Sequence, residues 1–293
     1  MNNFIKQFKN DLRINKKTLL SQIMLFLIID FLAIIAFFIF KHQSGVTDLN
    51  FITFELDGDI SQQSVEIFNN IWILIGMGVV SFVGFVMLIS SISLGSSALN
   101  LDHSRKCEIF YRSHPISIWT YASSKYMISV FVPFIIMLGI GLFNLLLVIP
   151  FLVPIFRFDL FPSLQGLFSA ILIYMRSIMI LGSIGFLASA VFREKAFMKL
   201  LLVIVTVQIL FAFIHFSFDV PLLNLFGYII KLINPLQNFS HITNLEQPDS
   251  LSGLYSFLSM RNLLFNWHCL LQIAASALFF ITGVFVYSRK EIN

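Results

Sequence analysis

Six segments of this chain are too long and too apolar to be the interior of a water-soluble fold. A helix needs about 20 mostly apolar residues to cross a hydrocarbon layer of about 30 Å. The six segments that meet this length are Leu19–Phe40, Ile71–Leu94, Ile128–Leu152, Leu167–Val191, Phe197–Phe216 and Trp267–Tyr287. They predict an all-α integral membrane protein with six transmembrane helices. We expect no separate soluble domain, so that residues 1–293 form a single transmembrane domain.

The composition indicates that lipid is the solvent for most of the protein surface. Hydrophobic residues make up 58% of the chain and charged residues 12%. A soluble domain usually carries about 25% charged residues. The 35 phenylalanines fall mostly inside the long apolar segments, which suits helices that face acyl chains.

Two further segments are predicted to lie along the membrane surface. Residues 1–18 carry apolar side chains at helical spacing and basic side chains elsewhere, which is typical of an interfacial helix. The apolar positions are Phe4, Ile5, Phe8 and Leu12. The alternative is a basic flank that only orients the first span. Leu222–Ile233 is too short to span, and we expect it to form a short outer-leaflet helix within the extracytoplasmic segment 217–266.

The Lys and Arg residues are segregated in a way that predicts the orientation of the chain. Fourteen of the 19 lie in the two terminal segments and in the second and fourth connections, which share one side if there are six crossings. Cytoplasmic connections are enriched in Lys and Arg. Both ends are therefore predicted to be cytoplasmic. The net charge of +4 belongs to this pattern, so we expect membrane lipids as partners and no nucleic acid.

The sequence carries no motif for bond chemistry. It lacks the phosphate-binding loop G-x-x-x-x-G-K-[ST], the zinc motif H-E-x-x-H and a C-x-x-C pair. Its six histidines are scattered along the chain. We therefore expect no enzyme active site, no cofactor and no metal site in this chain.

Two ionisable residues fall inside the predicted spans. Asp30 lies near the middle of the first span and Arg176 in the outer half of the fourth. A charge at the bilayer centre costs about 2.5–3.5 kcal/mol on insertion scales, and such residues usually face the bundle interior. We expect Asp30 and Arg176 to pair or to line a polar path. A packing clamp without a role in transport is the equal alternative.

Small residues in the second, third and fourth spans predict close contacts between helices, because they let backbones approach. These residues are Gly76, Gly78, Gly84, Gly139, Gly141, Gly182, Gly185 and Ser189. The spacing of Gly185 and Ser189 fits packing within the chain and packing in a dimer equally well.

The connection at residues 100–125 combines polarity with an unusual number of large apolar side chains. They are Ile109, Phe110, Tyr111, Ile116, Trp119 and Tyr121. Pro115 suits the first turn of a new helix. A short amphipathic helix that docks on a soluble partner would bury these side chains. The alternative is that they fold back onto the membrane interface, which aromatic residues favour.

This connection resembles the one between the second and third helices in the permease subunits of type-2 ABC exporters. The residues that carry the resemblance are Arg105, Lys106, Glu108, Arg112, Ser113, Pro115, Ile116, Ser117, Tyr121 and Lys125. In that family this connection forms the coupling helix that inserts into the ATPase subunit. Three further features are similar to that family. They are the six spans, the amphipathic residues 1–18, which look like the family's elbow helix, and the short apolar segment Leu222–Ile233.

The resemblance implies a permease of an ATP-driven exporter in the bacterial cytoplasmic membrane. A separate cytoplasmic ABC subunit would bind and hydrolyse ATP, and a second permease subunit, identical or similar, would complete the transporter. The residues implied in coupling to the ATPase are Arg112, Ser113, Pro115, Ile116, Tyr121 and Lys125. The cargo is unidentified, although a lipidic or amphipathic molecule would suit a Phe-rich cavity. The alternatives are a membrane scaffold or sensor that binds an ATPase, and a secondary transporter or channel.

Overall fold

The computed structural model describes seven helices and the residues next to them. The described residues are 2–43, 62–100, 117–152, 160–192, 194–218, 224–233 and 267–289. In chain order the helices are α1 (Asn2–Gln43), α2 (Gln62–Ser97), α3 (Ile118–Leu152), α4 (Leu160–Val191), α5 (Ala196–Phe218), α6 (Leu225–Ile233) and α7 (Trp267–Arg289).

Six of these helices are long and apolar enough to cross a membrane, and all six coincide with predicted spans. The prediction of an all-α membrane protein with six long apolar helices is therefore confirmed for the part of the chain described. The short α6 coincides with the apolar segment predicted before the last span. Its location relative to a membrane surface stays a prediction.

Helix α2 begins at Gln62 rather than Ile71, and helices α3 and α4 also begin earlier than hydropathy predicted. Helix α3 begins ten residues before Ile128, at Ile118, and Ser117 caps it by accepting a hydrogen bond from the Thr120 N–H at 3.2 Å. Helix α4 begins at Leu160 rather than Leu167. Polar side chains in these first turns lower the hydropathy without breaking the helix. Residues 118–125 of the predicted docking connection therefore belong to α3.

Helix α1 is continuous over 42 residues and has no break near residue 18. The predicted interfacial segment and the first span are thus parts of one helix. Of the predicted apolar face, Phe4 and Phe8 are half-buried and stacked at 6.3 Å between ring centroids, whereas Ile5 and Leu12 are exposed. The orientation of residues 1–18 to a membrane surface stays a prediction.

Contacts between side chains define the relative directions of the helices. Helices α1 and α2 are antiparallel, because Gln22 donates to Ser90 and Phe26 packs on Phe82. Helices α3 and α7 are also antiparallel, since Tyr121 stacks on Tyr287 near one end and Tyr126 bonds Ser276 farther along. These directions agree with helices that alternate in sense across a membrane.

Helices α2 and α4 run in the same direction and touch along much of their length. A Cβ on Gly76 would collide with the backbone of Ser163, and one on Gly166 with the backbone of Ile73. About 20 residues farther along both helices, a Cβ on Gly185 would lie 2.7 Å from the carbonyl oxygen of Ile92. Small residues at both ends therefore let the two backbones meet.

The glycine contacts decide between packing within the chain and packing in a dimer for several predicted positions. Gly182 and Gly185 face α2 of the same chain, and Gly84 lies against the ring of Tyr174. Gly78 and Gly139 have nothing within 4 Å of an added Cβ. Gly182, Gly185 and Gly84 therefore pack closely within the chain, whereas Gly78 and Gly139 have open space around them.

Helix α4 is the centre of the described bundle and α5 is at its edge. Most of the apolar window of α4 is buried, whereas none of the window of α5 is. Helices α2, α3 and α4 meet at Ser91, whose Oγ lies 2.7 Å from the Ser129 carbonyl oxygen and 2.9 Å from that of Ile178. Such hydroxyl contacts hold helices together where lipid offers no hydrophobic driving force.

Candidate functional site

Two polar sites stand out in this apolar bundle. One lies at the end of the bundle where α1 and α3 begin and where α2, α4 and α7 finish; we call it the Asp11 end. The other is around Arg176 on α4, three residues before Met179, whose carbonyl oxygen accepts a hydrogen bond from Ser276 of α7. All four basic segments of the chain adjoin helix termini at the Asp11 end.

A buried ion pair joins α1 to α3 at the Asp11 end. Lys125 Nζ lies 3.1 Å from Asp11 Oδ1, and the Asp11 side chain is fully buried. Ser124 Oγ donates to Asp11 Oδ2 at 2.8 Å, and Gln7 Nε2 lies 3.3 Å from both carboxylate oxygens. The carboxylate thus has a cation and two further donors, which offset the cost of burying it.

Aromatic stacking joins the same part of α3 to α7. The ring of Tyr121 stacks on that of Tyr287 at 6.0 Å between centroids, and Lys125 Nζ lies 5.4 Å from the Tyr121 centroid. Trp119 packs edge-on against Phe280. The first two turns of α3 are therefore fixed on one side to α1 and on another to α7.

The six predicted coupling residues divide into two groups. Arg112, Ser113, Pro115 and Ile116 lie outside the described residues. Tyr121 and Lys125 are described, and both are buried against neighbouring helices. Their side chains contact Tyr287 and Asp11, so their direct contacts in this structure are within the chain.

Sequence reasoning missed Asp11, which is the centre of this cluster. Asp11 is the only acidic residue among the first 29, and it lies near the apolar face that contains Phe4 and Phe8 on a helical projection. An acidic side chain near the apolar face of a helix indicates that it has a partner in the interior of the bundle. Nothing in the sequence identifies Lys125 as that partner, because the pairing depends on how α1 and α3 align.

The contacts of the described residues do not include an ion pair between Asp30 and Arg176, and a polar path or a packing clamp stays a prediction. The carboxyl of Asp30 is hydrogen-bonded to the side chain of Asn144 on α3. Two contacts align α4 with α3: Leu167 lies next to Gly141, and Gly182 lies next to Val130. Arg176 lies between Leu167 and Gly182, so its level on α3 falls between Gly141 and Val130. At 1.5 Å per residue, that level of α3 lies about 15 Å from Asn144, so the backbones of Asp30 and Arg176 are at different levels of the bundle.

Arg176 is buried at the middle of α4 without a hydrogen-bonded partner among the described residues. Its side chain is 9% exposed, and its Nε and Nη1 atoms are buried and lack acceptors. His268, at the start of α7, lies within electrostatic range of the guanidinium. Ser276 of α7 donates to the carbonyl oxygen of Met179, three residues after Arg176, so this charged residue lies in the part of α4 that packs against α7.

No group of three His, Cys, Asp or Glu side chains within the described ranges could hold a metal ion. Comparison with known proteins found no matching family, no similar curated protein and no similar solved structure. The described fold is all-helical, with six helices long and apolar enough to cross a membrane.

Proposed function

We propose that this chain is the permease subunit of an ATP-driven ABC exporter in a bacterial cytoplasmic membrane, with the basic segments on the cytoplasmic side. The observation that carries the proposal is the resemblance of residues 105–125 to the coupling connection of type-2 ABC exporter permeases. The alternation of six apolar helices, with both termini at the Asp11 end, supports it.

The contacts around α3 support a mechanical route for such a permease. A force on the connection before Ile118 would act on the first turns of α3, which are fixed to α1 through Asp11 and to α7 through Tyr287. These three helices would then move together as the ATPase subunits close. In this proposal alternating access follows from movement of packed helices, and no bond chemistry occurs in this chain.

Co-purification with a phosphate-loop ATPase encoded beside this chain tests the proposal. We expect the pair to co-purify and its ATPase rate to change when the permease is present in nanodiscs. Arg112→Ala and Pro115→Ala should weaken both effects, because these side chains lie in the resembling motif. The matched control is Lys199→Ala, which alters an exposed basic residue in another predicted cytoplasmic segment.

The same experiment separates the alternative functions. A scaffold or sensor would retain the ATPase, but cargo uptake into inverted vesicles would not depend on ATP. A secondary transporter would move cargo without any ATPase. Unchanged ATPase binding and coupling in both motif variants would contradict the docking assignment.

A further inference from the structure

Arg176 is a charged group for which the described chain supplies no counter-charge. Among the carboxylates whose side chains are described, Asp11 is paired with Lys125, Asp30 lies at a different level of the bundle, and Glu194 is exposed beyond the end of α4. The guanidinium nevertheless has buried Nε and Nη1 donors without acceptors. A buried unpaired charge is strongly unfavourable, so a buried Arg normally binds an anion.

The surroundings of Arg176 favour an anion in a second way. Helix α7 begins at Trp267 and runs beside α4 in the same direction, where Ser276 donates to the carbonyl oxygen of Met179 and Gly283 lies against Phe186. Counting back along both helices places the first turn of α7 about 9 Å from Arg176 along the bundle. The first N–H groups of a helix have no acceptors within the helix, and the helix dipole is positive at that end. The guanidinium and the helix terminus therefore give the same region a positive potential, which is suited to a phosphate group.

Helix α4 adds a neutral donor on the same side. Ser169 lies seven residues before Arg176, which places the two on one face of the helix two turns apart. Its hydroxyl is buried and has no hydrogen-bond partner. An oxyanion larger than a carboxylate could accept hydrogen bonds from both Ser169 and Arg176 on this face of α4.

The outer surface of α7 beside this region is apolar. Trp267 is 77% exposed, and Leu270 and Leu271 are about half exposed. Acyl chains could pack on these side chains while a headgroup reaches between α4 and α7.

We infer that Arg176, with Ser169 and the first turn of α7, forms a binding site for the phosphate group of an anionic phospholipid. The guanidinium donates charge-assisted hydrogen bonds to phosphate oxygens, the helix terminus adds its positive potential, and the acyl chains cover Trp267 and its neighbours. The inference does not require an ATPase partner, because the site belongs to this chain alone.

Native mass spectrometry of the protein in detergent, titrated with phosphatidylglycerol, tests the site. We expect the wild type to retain one tightly bound phosphatidylglycerol. Arg176→Gln should weaken this binding about tenfold, because charge-assisted hydrogen bonds are lost, whereas Arg176→Lys should lose less. The matched control, Arg289→Gln, removes an exposed arginine at the far end of α7 and should bind like the wild type.

Two further arms identify the source of the phosphate and guard against a folding defect. Inorganic phosphate should not displace the lipid, and an uncharged diglucosyl lipid should not compete. In wild-type protein alone, phosphatidylglycerol should raise the melting temperature more than phosphatidylcholine does. Equal lipid binding by wild type and Arg176→Gln would overturn the site, and saturation by inorganic phosphate would assign it to a soluble anion instead.

Discussion

Lys125 and Arg176 are both buried cations, yet the structure treats them differently. Lys125 contacts the carboxylate of Asp11, which also accepts a hydrogen bond from Ser124. Arg176 has no such partner among the described residues. The same type of substitution should therefore have opposite effects on the folding stability of the apoprotein at the two positions.

Removing the charge of Lys125 should destabilise the protein strongly. Lys125→Met leaves the Asp11 carboxylate buried without its cation, which we expect to lower the free energy of unfolding by about 3–5 kcal/mol. The double variant Asp11→Leu with Lys125→Met should recover most of this loss. Unfolding by sodium dodecyl sulfate in mixed micelles measures both, and Lys9→Met, at an exposed position, is the control.

Removing the charge of Arg176 should not destabilise the protein when phospholipid is absent. In delipidated detergent, Arg176→Gln replaces an unpaired buried charge with a neutral group, so its melting temperature should equal or exceed that of the wild type. A large decrease would show that Arg176 is satisfied within the chain, contrary to the geometry described above.

Sequence patterns predicted burial at the residue scale but not pairing. The charge of Asp30 inside an apolar segment predicted a polar contact, and Asn144 provides one. Arg176, the predicted partner, lies at a different level of the bundle, so similar depths in two predicted spans do not bring two side chains together. Pairs between helices depend on their relative shift, which one sequence does not contain.

At the scale of single helices, the contact between α2 and α4 is the feature that tolerates larger side chains least. Their backbones meet at glycines, and two of these, Gly95 and Gly166, were not predicted because each lies one residue outside a predicted span. The helices themselves were predicted well, because about 20 consecutive apolar residues have few other solutions. Helix beginnings were predicted less well, because polar first turns resemble connections.

Alanine substitutions at two glycines should change the free energy of unfolding in opposite directions. In Gly166→Ala the new methyl group meets the backbone of Ile73, which cannot move aside as a side chain can, so we expect a loss of about 1–3 kcal/mol. In Gly139→Ala nothing lies within 4 Å, so the variant should gain up to about 1 kcal/mol from helix propensity. Thermal unfolding of the two variants side by side tests this contrast.

At the scale of the whole molecule, the helix directions give a testable arrangement of the connections. Cys107 lies in the connection at residues 100–125, predicted to be cytoplasmic, whereas Cys269 is buried in α7. A membrane-impermeant maleimide should therefore fail to label intact cells and should label Cys107 after permeabilisation. A Ser44→Cys change in a Cys107→Ala chain, on the predicted outer side, should be labelled in intact cells. The reverse pattern would invert the topology.

The position of α7 has a consequence for how the chain is made. Helix α7 packs on α3 and α4, although α5 and α6 lie between them in the sequence. Chains are synthesised from the amino terminus, and early segments fold first. The side of α4 that carries Phe186 can therefore meet α7 only after residues 267–289 have been synthesised, which gives a lipid or an insertion factor earlier access to it.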